Sequence, residues 1–201
     1  MAAGSDTPSI TRISVSTANL SRRGDIDGMA PEYPLERVCS HRYEPFQLKF
    51  ARHAQQVLQQ AKDVQLEATH AGLVLCAETE AALEDSVGVL RDFYGSQVSI
   101  GPATVRYHRG VTLEQPYMAV RVRCRACDFE AVKADLVARE GAVVDSELTR
   151  SFGVIRVIAP LARLLGYSEC LARLTAGTGR EVMWLSHYAP LDNPPPGGNV
   201  A

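Results

Sequence analysis

From Leu35 onward the chain switches between two hydrophobic periods, one of two residues and one of three to four, in an order that repeats. Leu35 to Tyr43 reads as a strand. Glu44-Pro45 then opens a helix whose apolar face is Phe46, Phe50, Ala54, Val57, Leu58 and Ala61. Val64 to Thr69 and Leu73 to Ala77 predict a hairpin around His70-Ala71-Gly72. Thr79 can cap a second helix carrying Leu83, Val87, Leu90 and Tyr94, and Gly95 ends it. Gln97 to Ile100 with Thr104 to His108 closes this half as extended chain. The same β-α-β-β-α-β order then returns. Pro116 to Cys124 reads as a strand, and Asp128 to Glu140 as a helix with Phe129, Val132 and Leu136 inward and Gly141 as its stop. Ala142 to Leu148 and Phe152 to Ala159 follow as strands. Pro160 opens one last helix, with Leu161, Leu164, Leu165, Ser168, Leu171 and Ala172 on one face. Gly177-Thr178-Gly179 turns the chain, because glycine reaches positive φ at no steric cost. Glu181 to Tyr188 ends the pattern as a strand rich in β-favouring side chains.

This order predicts an α+β fold: two tandem ferredoxin-like βαββαβ domains with antiparallel sheets, helices on one face of each and a small core in each half. The expected domains are residues 34–110 and 114–192, linked through Arg109 to Gln115. Residues 1–33, rich in Ser, Thr, Gly, Asp and Pro, read as a flexible tail containing one alternating run, Ile10 to Val15. The Pro-Gly stretch 193–201 reads as a disordered C-terminal tail. At 46% hydrophobic residues and a formal charge of −2, the chain has an ordinary soluble globular composition. No apolar run approaches the roughly 18 residues that span a bilayer, and the N-terminus lacks a charged segment followed by an apolar one. A cytoplasmic protein without a membrane partner is therefore expected. The five cysteines are odd in number and mostly sit inside apolar patterns, as in a reduced protein.

The final helix and strand carry a specific pattern. Pro160-Leu161, Gly166-Tyr167, Leu171-Ala172-Arg173-Leu174-Thr175, Gly177, Gly179, Met183, Leu185, His187-Tyr188 and Pro190-Leu191 stand in one register. This closely resembles the PLxxxxGYxxxLRxLTxGxGxxxMxFxHYxPV pattern of the fifth domain of elongation factor G and related translational GTPases. Leu113-Glu114-Gln115-Pro116-Tyr117-Met118 resembles the LEP(Y/I)M that opens that domain. In the first half, Met29-Ala30-Pro31-Glu32-Tyr33-Pro34 resembles the lead into the family's third domain, and Val98 to Tyr107 its closing VxxGxPxVxYRE strand. The resemblance covers roughly Met29 to Asn193. It implies the split β-α-β fold for both halves. It also implies contacts with the ribosome, the fifth domain lying against GTPase-associated RNA of the large subunit and the third against the small subunit.

The departures from the family shape the expected function. The 201 residues hold no GxxxxGK[ST] phosphate loop and no guanine-reading asparagine-lysine-x-aspartate motif. The domain that normally lies between these two is replaced by Arg109 to Gln115, and the family's GxGELHL by Ala77-Glu78-Thr79-Glu80-Ala81-Ala82-Leu83. The expectation is thus a protein without a GTPase domain, not an enzyme and needing no cofactor. Its expected partner is the ribosome, through rRNA and ribosomal proteins, or a translation factor. The alternative is a protein-interaction or small-ligand-sensing module that uses the same fold for dimerisation, so self-association stays open.

Strand alternation singles out one surface. With Met118, Val120, Val122 and Cys124 facing the helices, Tyr117, Ala119, Arg121 and Arg123 face away. Ile155 and Val157 inward put Arg156 outward; Met183, Leu185 and His187 inward put Trp184 and Ser186 outward. Arg121, Arg123, Arg156 and Trp184 then converge on one open sheet face, where guanidiniums beside an indole suit phosphate contact and base stacking. Gly177, Thr178 and Gly179, which match the family motif, complete the candidate binding set. The same face could equally pack on the other domain or stay solvated. The charge is mild for a binder of bare RNA, with seven Lys/Arg against nine Asp/Glu over Leu35 to His108 and ten against nine over Glu114 to Pro190. Arg150 to Val157 partly matches an RNA-recognition strand, with Phe152 its one stacking aromatic. Cys124-Arg125-Ala126-Cys127 is a CxxC ahead of a helix, a thiol or zinc candidate for which Cys39 and His41 are the available extra ligands. Core packing of Cys124 on its inward strand face is the competing reading, and a thiol-based enzyme ranks last.

Overall fold

The computed structural model describes residues 33–109 and 111–191. The expected tails, with the Ile10 to Val15 run, lie outside the described residues apart from Tyr33. In the first half, β1 (Leu35–His41), β2 (Val64–Thr69), β3 (Gly72–Ala77) and β4 (Val98–Val105) form a sheet in the order β2-β3-β1-β4, every pair antiparallel. Helix α1 (Gln47–Val57) buries Phe50, Ala51 and Ala54 against it. Helix α2 (Glu80–Tyr94) buries Leu83, Val87 and Leu90, and the Thr79 hydroxyl caps it by accepting from the Ala82 N–H at 3.3 Å. Phe46 departs from its expected place: it precedes the first turn of α1 and is 72% exposed. Edge strand β4 bulges opposite Val38, where Pro102 has no N–H to give to a ladder.

The second half comprises β5 (His108–Arg109), β6 (Leu113–Arg125), α3 (Phe129–Ala138), β7 (Ala142–Leu148), β8 (Phe152–Pro160), α4 (Leu161–Leu164), α5 (Tyr167–Leu174) and β9 (Arg180–Pro190). Its sheet runs β7-β8-β6-β9, again antiparallel, with the short β5 against the start of β6. Helix α3 ends differently from the expectation. Glu140, at φ 63°, takes the left-handed position. The Glu140 and Gly141 amides then bond back to the Val137 and Leu136 carbonyls, both at 3.0 Å.

The single helix expected after Pro160 is two. Pro160 still belongs to β8, opposite Tyr117, and Leu165 is extended before Gly166 turns left-handed at φ 71°. The break re-aims the apolar face: Tyr167, Leu171 and Thr175 are buried, whereas Ser168 and Ala172 are exposed. Tyr167 is the bulkiest of the fully buried side chains. Buried residues of both halves join in one hydrophobic cluster, where separate cores were expected. Two carboxylates beside Thr79 add to the join. Glu78 Oε1 accepts from the Leu185 N–H at 3.1 Å, and Glu80 Oε2 from the Gly166 N–H at 2.8 Å.

Candidate functional site

The second sheet has one face sealed and one open. Met118, Val120, Val122 and Cys124 of the central strand β6 are buried beneath the helices, so period two sends Tyr117, Ala119, Arg121 and Arg123 to the opposite side. Register converts this into rows across four strands. Glu147, Val154, Arg123 and Arg180 form one row; Asp145, Arg156, Arg121 and Val182 the next; Ala142, Ile158, Ala119 and Trp184 a third. Four guanidiniums therefore stand side by side, with an indole 45% exposed and Val182 61% exposed at the β9 edge.

The guanidiniums are not equivalent. Arg156 is paired with Glu147, at 3.2 Å, and with Asp145, which together hold it in the charged form. It is thereby occupied, unlike the free phosphate ligand the sequence suggests. Arg121 and Arg123 have no carboxylate partner among the described residues. Arg123 instead lies over the Phe152 ring at 4.6 Å, a cation–π contact that fixes its direction. That contact uses the one aromatic of the partial RNA-recognition strand. Arg180 was not singled out from the sequence, although carrying the β9 alternation back from Val182 reaches it. Its Nη1 donates to the Gly177 and Gly179 carbonyls at 3.2 and 3.1 Å.

Those bonds also define Gly177, Thr178 and Gly179. They form the turn that delivers β9 to the open face, built around buried Thr175. The Thr175 hydroxyl donates to the Leu171 carbonyl at 2.7 Å and accepts from the Gly179 N–H at 2.8 Å. Gly177 is left-handed at φ 77°, and a Cβ on Gly179 would stand 2.8 Å from the Thr175 Oγ1. The motif glycines shape the chain here; their side of the site is the backbone they hold beside Arg180.

His187 departs from its expected inward place. β9 carries an extra residue at Ser186, since Met118 pairs with Leu185 but Tyr117 with His187. The bulge flips the phase, so His187 is exposed and stacks on Tyr117 with centroids 5.3 Å apart at 6°. Tyr188 turns inward instead, and burial, opposed by Arg106, pushes its hydroxyl up to about 12.

The CxxC is split by exposure. Cys127 is exposed, with its thiol 3.4 Å from Asp128 Oδ1, whereas Cys124 is buried. Burial, with Asp128 and Cys127 adding, pushes the Cys124 thiol up, away from nucleophilic thiolate. Cys39 lies in the core of the other sheet, so it is not brought to this pair. Among the described residues no three His, Cys, Asp or Glu side chains are grouped to hold a metal.

Residues 112–197 match the family model of the elongation factor G C-terminus. Among curated proteins, the chain is 32% identical over 79 residues to the mitochondrial ribosome-releasing factor 2 of Danio rerio, a match covering 39% of this chain and 10% of that one. It is 34% identical over 76 residues to elongation factor G of Aquifex pyrophilus, covering 38% of this chain and 11% of that one. The chain thus aligns with about a tenth of the length of these relatives. A crystal structure of a Thermus thermophilus protein superposes with a TM-score of 0.54 at 15% identity, over 84% of this chain and 42% of that one, a likeness of fold.

Proposed function

We propose, from the premise that residues 112–197 match the elongation factor G C-terminus, that this protein acts in translation as a non-catalytic ribosome-binding factor. The observation that carries the reading is the open face of that region: Arg121 and Arg123 without carboxylate partners among the described residues, Arg180 beside them, and exposed Trp184 and Val182. Unpaired guanidiniums next to an indole suit a surface of phosphate and stacked base. The raised Cys124 thiol and the absence of a phosphate-loop motif from the 201 residues support a role by contact rather than by bond-making.

Co-sedimentation with ribosomes at stepped salt tests it. The expected result is retention at low salt that falls as salt rises. Arg121→Ala/Arg123→Ala lowers it further, while replacing Arg156 together with its two carboxylate partners (Arg156→Ala/Asp145→Ala/Glu147→Ala) has the smaller effect. Salt-independent retention, or equal loss in both variants, contradicts the reading. A second reading rests on a different feature: strand β7 is exposed along its whole length and carries Val144 and Leu148 at 64% and 54% exposure. Because the bulge after Val143 and the charges of Asp145 and Glu147 oppose ladder pairing, these exposed apolar side chains suit a side-chain contact with a second copy. A concentration-dependent dimer abolished by Val144→Lys favours that reading.

A further inference from the structure

The first half carries a second surface, unrelated to the open face of the second sheet. The loop from Arg42 to Phe46 joins β1 to α1, and its backbone is held throughout. His41 Nδ1 accepts from the Tyr43 and Glu44 amides at 3.2 and 3.0 Å. The Gln47 side chain accepts from the His41 N–H at 2.9 Å and donates to the His41 and Glu44 carbonyls at 2.8 and 2.6 Å. The Arg42 amide reaches the Gln97 carbonyl at 2.8 Å, and the Glu44 carboxylate turns back to the Phe46 N–H at 3.3 Å. A loop this firmly tied displays two aromatic rings to solvent, Tyr43 at 76% and Phe46 at 72% exposure. Ordered backbone beneath exposed rings is preorganisation for a contact.

The ring of Phe46 borders an open depression of about 420 Å³ whose other walls include Lys49, Arg52 and His70. That volume lies within the roughly 300–1,000 Å³ typical of ligand sites. No carboxylate lines it, and neither Lys49 nor Arg52 has an ion-pair partner among the described residues. Behind the loop the rings continue. His41 meets Tyr43 at 6.3 Å and Tyr94 at 6.3 Å, and Tyr94 meets Phe93 at 4.9 Å. Exposed aromatics beside cations without an ion-pair partner among the described residues complement a chain of planar bases joined by phosphates.

We propose that Tyr43, Phe46, Lys49, Arg52 and His70 form a binding site for single-stranded nucleic acid, with a base stacked on Phe46 and phosphates held by Lys49 and Arg52. The site belongs to a different sheet from the proposed ribosome-binding face and stands without it. Each base stack contributes about 1–3 kcal/mol on alanine scanning, so loss of one ring weakens binding about fivefold or more.

Fluorescence anisotropy with labelled oligouridylate and oligoadenylate dodecamers, using the full chain, tests this. Phe46→Ala is expected to weaken binding about tenfold and Phe46→Trp to retain it. Lys49→Ala/Arg52→Ala is expected to flatten the slope of log K against log salt by about 1.4, two single-strand phosphates' worth. The substituted side chains project from the surface, and melting curves matching the wild type verify folding. The proposal is overturned if neither oligomer binds, if binding survives Phe46→Ala but is lost in Arg121→Ala/Arg123→Ala, or if a polyglutamate peptide competes as strongly as RNA.

Discussion

Tyr167 offers the sharpest test of the packing. Its side chain is fully buried between the broken helix and the second sheet, yet its hydroxyl finds no hydrogen-bond partner among the described residues. A hydroxyl buried without a protein partner carries a desolvation penalty of about 1–3 kcal/mol. Burial, with the Glu181 and Asp135 carboxylates adding, pushes its pKa up. The guanidinium of Arg139 lies 5.3 Å from the ring centroid, a contact that a phenyl ring keeps. Tyr167→Phe therefore removes the costly group and leaves the packing, apart from an oxygen-sized gap. The expected gain is about 1 kcal/mol, read as a higher urea midpoint at unchanged m and a melting temperature up by about 2–4 °C. A loss of about 1 kcal/mol or more refutes the reasoning, because only a hydroxyl with a good partner costs that much to delete.

Thr175→Val leaves the Gly179 N–H without its acceptor and costs about 1–3 kcal/mol, measured by denaturation, whereas Thr175→Ser keeps most of it. Glu78→Ala/Glu80→Ala frees the Leu185 and Gly166 amides, so hydrogen exchange at these two sites speeds up at least tenfold, about 1.4 kcal/mol of local protection. Burial, opposed by Arg37 and Arg91, pushes the Cys39 thiol from 9.0 up to about 11. A raised thiol pKa stabilises the fold fully below the unfolded value and ceases to do so as pH climbs through the folded one. Stability should thus drop between those two values by about 2–3 kcal/mol, and Cys39→Ala should remove that component of the pH profile.

The strand faces were legible because period two fixes them once a few buried positions are known; Met118, Val120, Ile155 and Val157 sufficed to send Arg121, Arg123 and Arg156 outward. Period says nothing about extra residues. The bulge at Ser186 reversed His187 and Tyr188, and no turn residue in that stretch announces it. The helix after Pro160 misled for a related reason. Leu161, Leu164 and Leu171 keep helical spacing across a break in the helix, so the apolar count continues while the helical backbone does not. Gly166 was the available signal, since a glycine inside a helical run costs about 1 kcal/mol and marks a break when it takes positive φ. The pairing of Arg156 with Asp145 and Glu147 depends on β7 register, which itself bulges after Val143. Phe46 read as core from its spacing with Phe50, but tertiary context put it ahead of the helix, where no element among the described residues covers it.

Trp184 is the chain's only tryptophan and stands on the open face, so it reports directly on the claim that this face meets the ribosome. Protein carrying fluorotryptophan at that position gives a single fluorine resonance, free of ribosomal background. On adding ribosomes at low salt, the account predicts that the line broadens and shifts, and that the Arg121→Ala/Arg123→Ala protein keeps its free-state line. A sharp, unmoved resonance from protein that nevertheless sediments with ribosomes contradicts it.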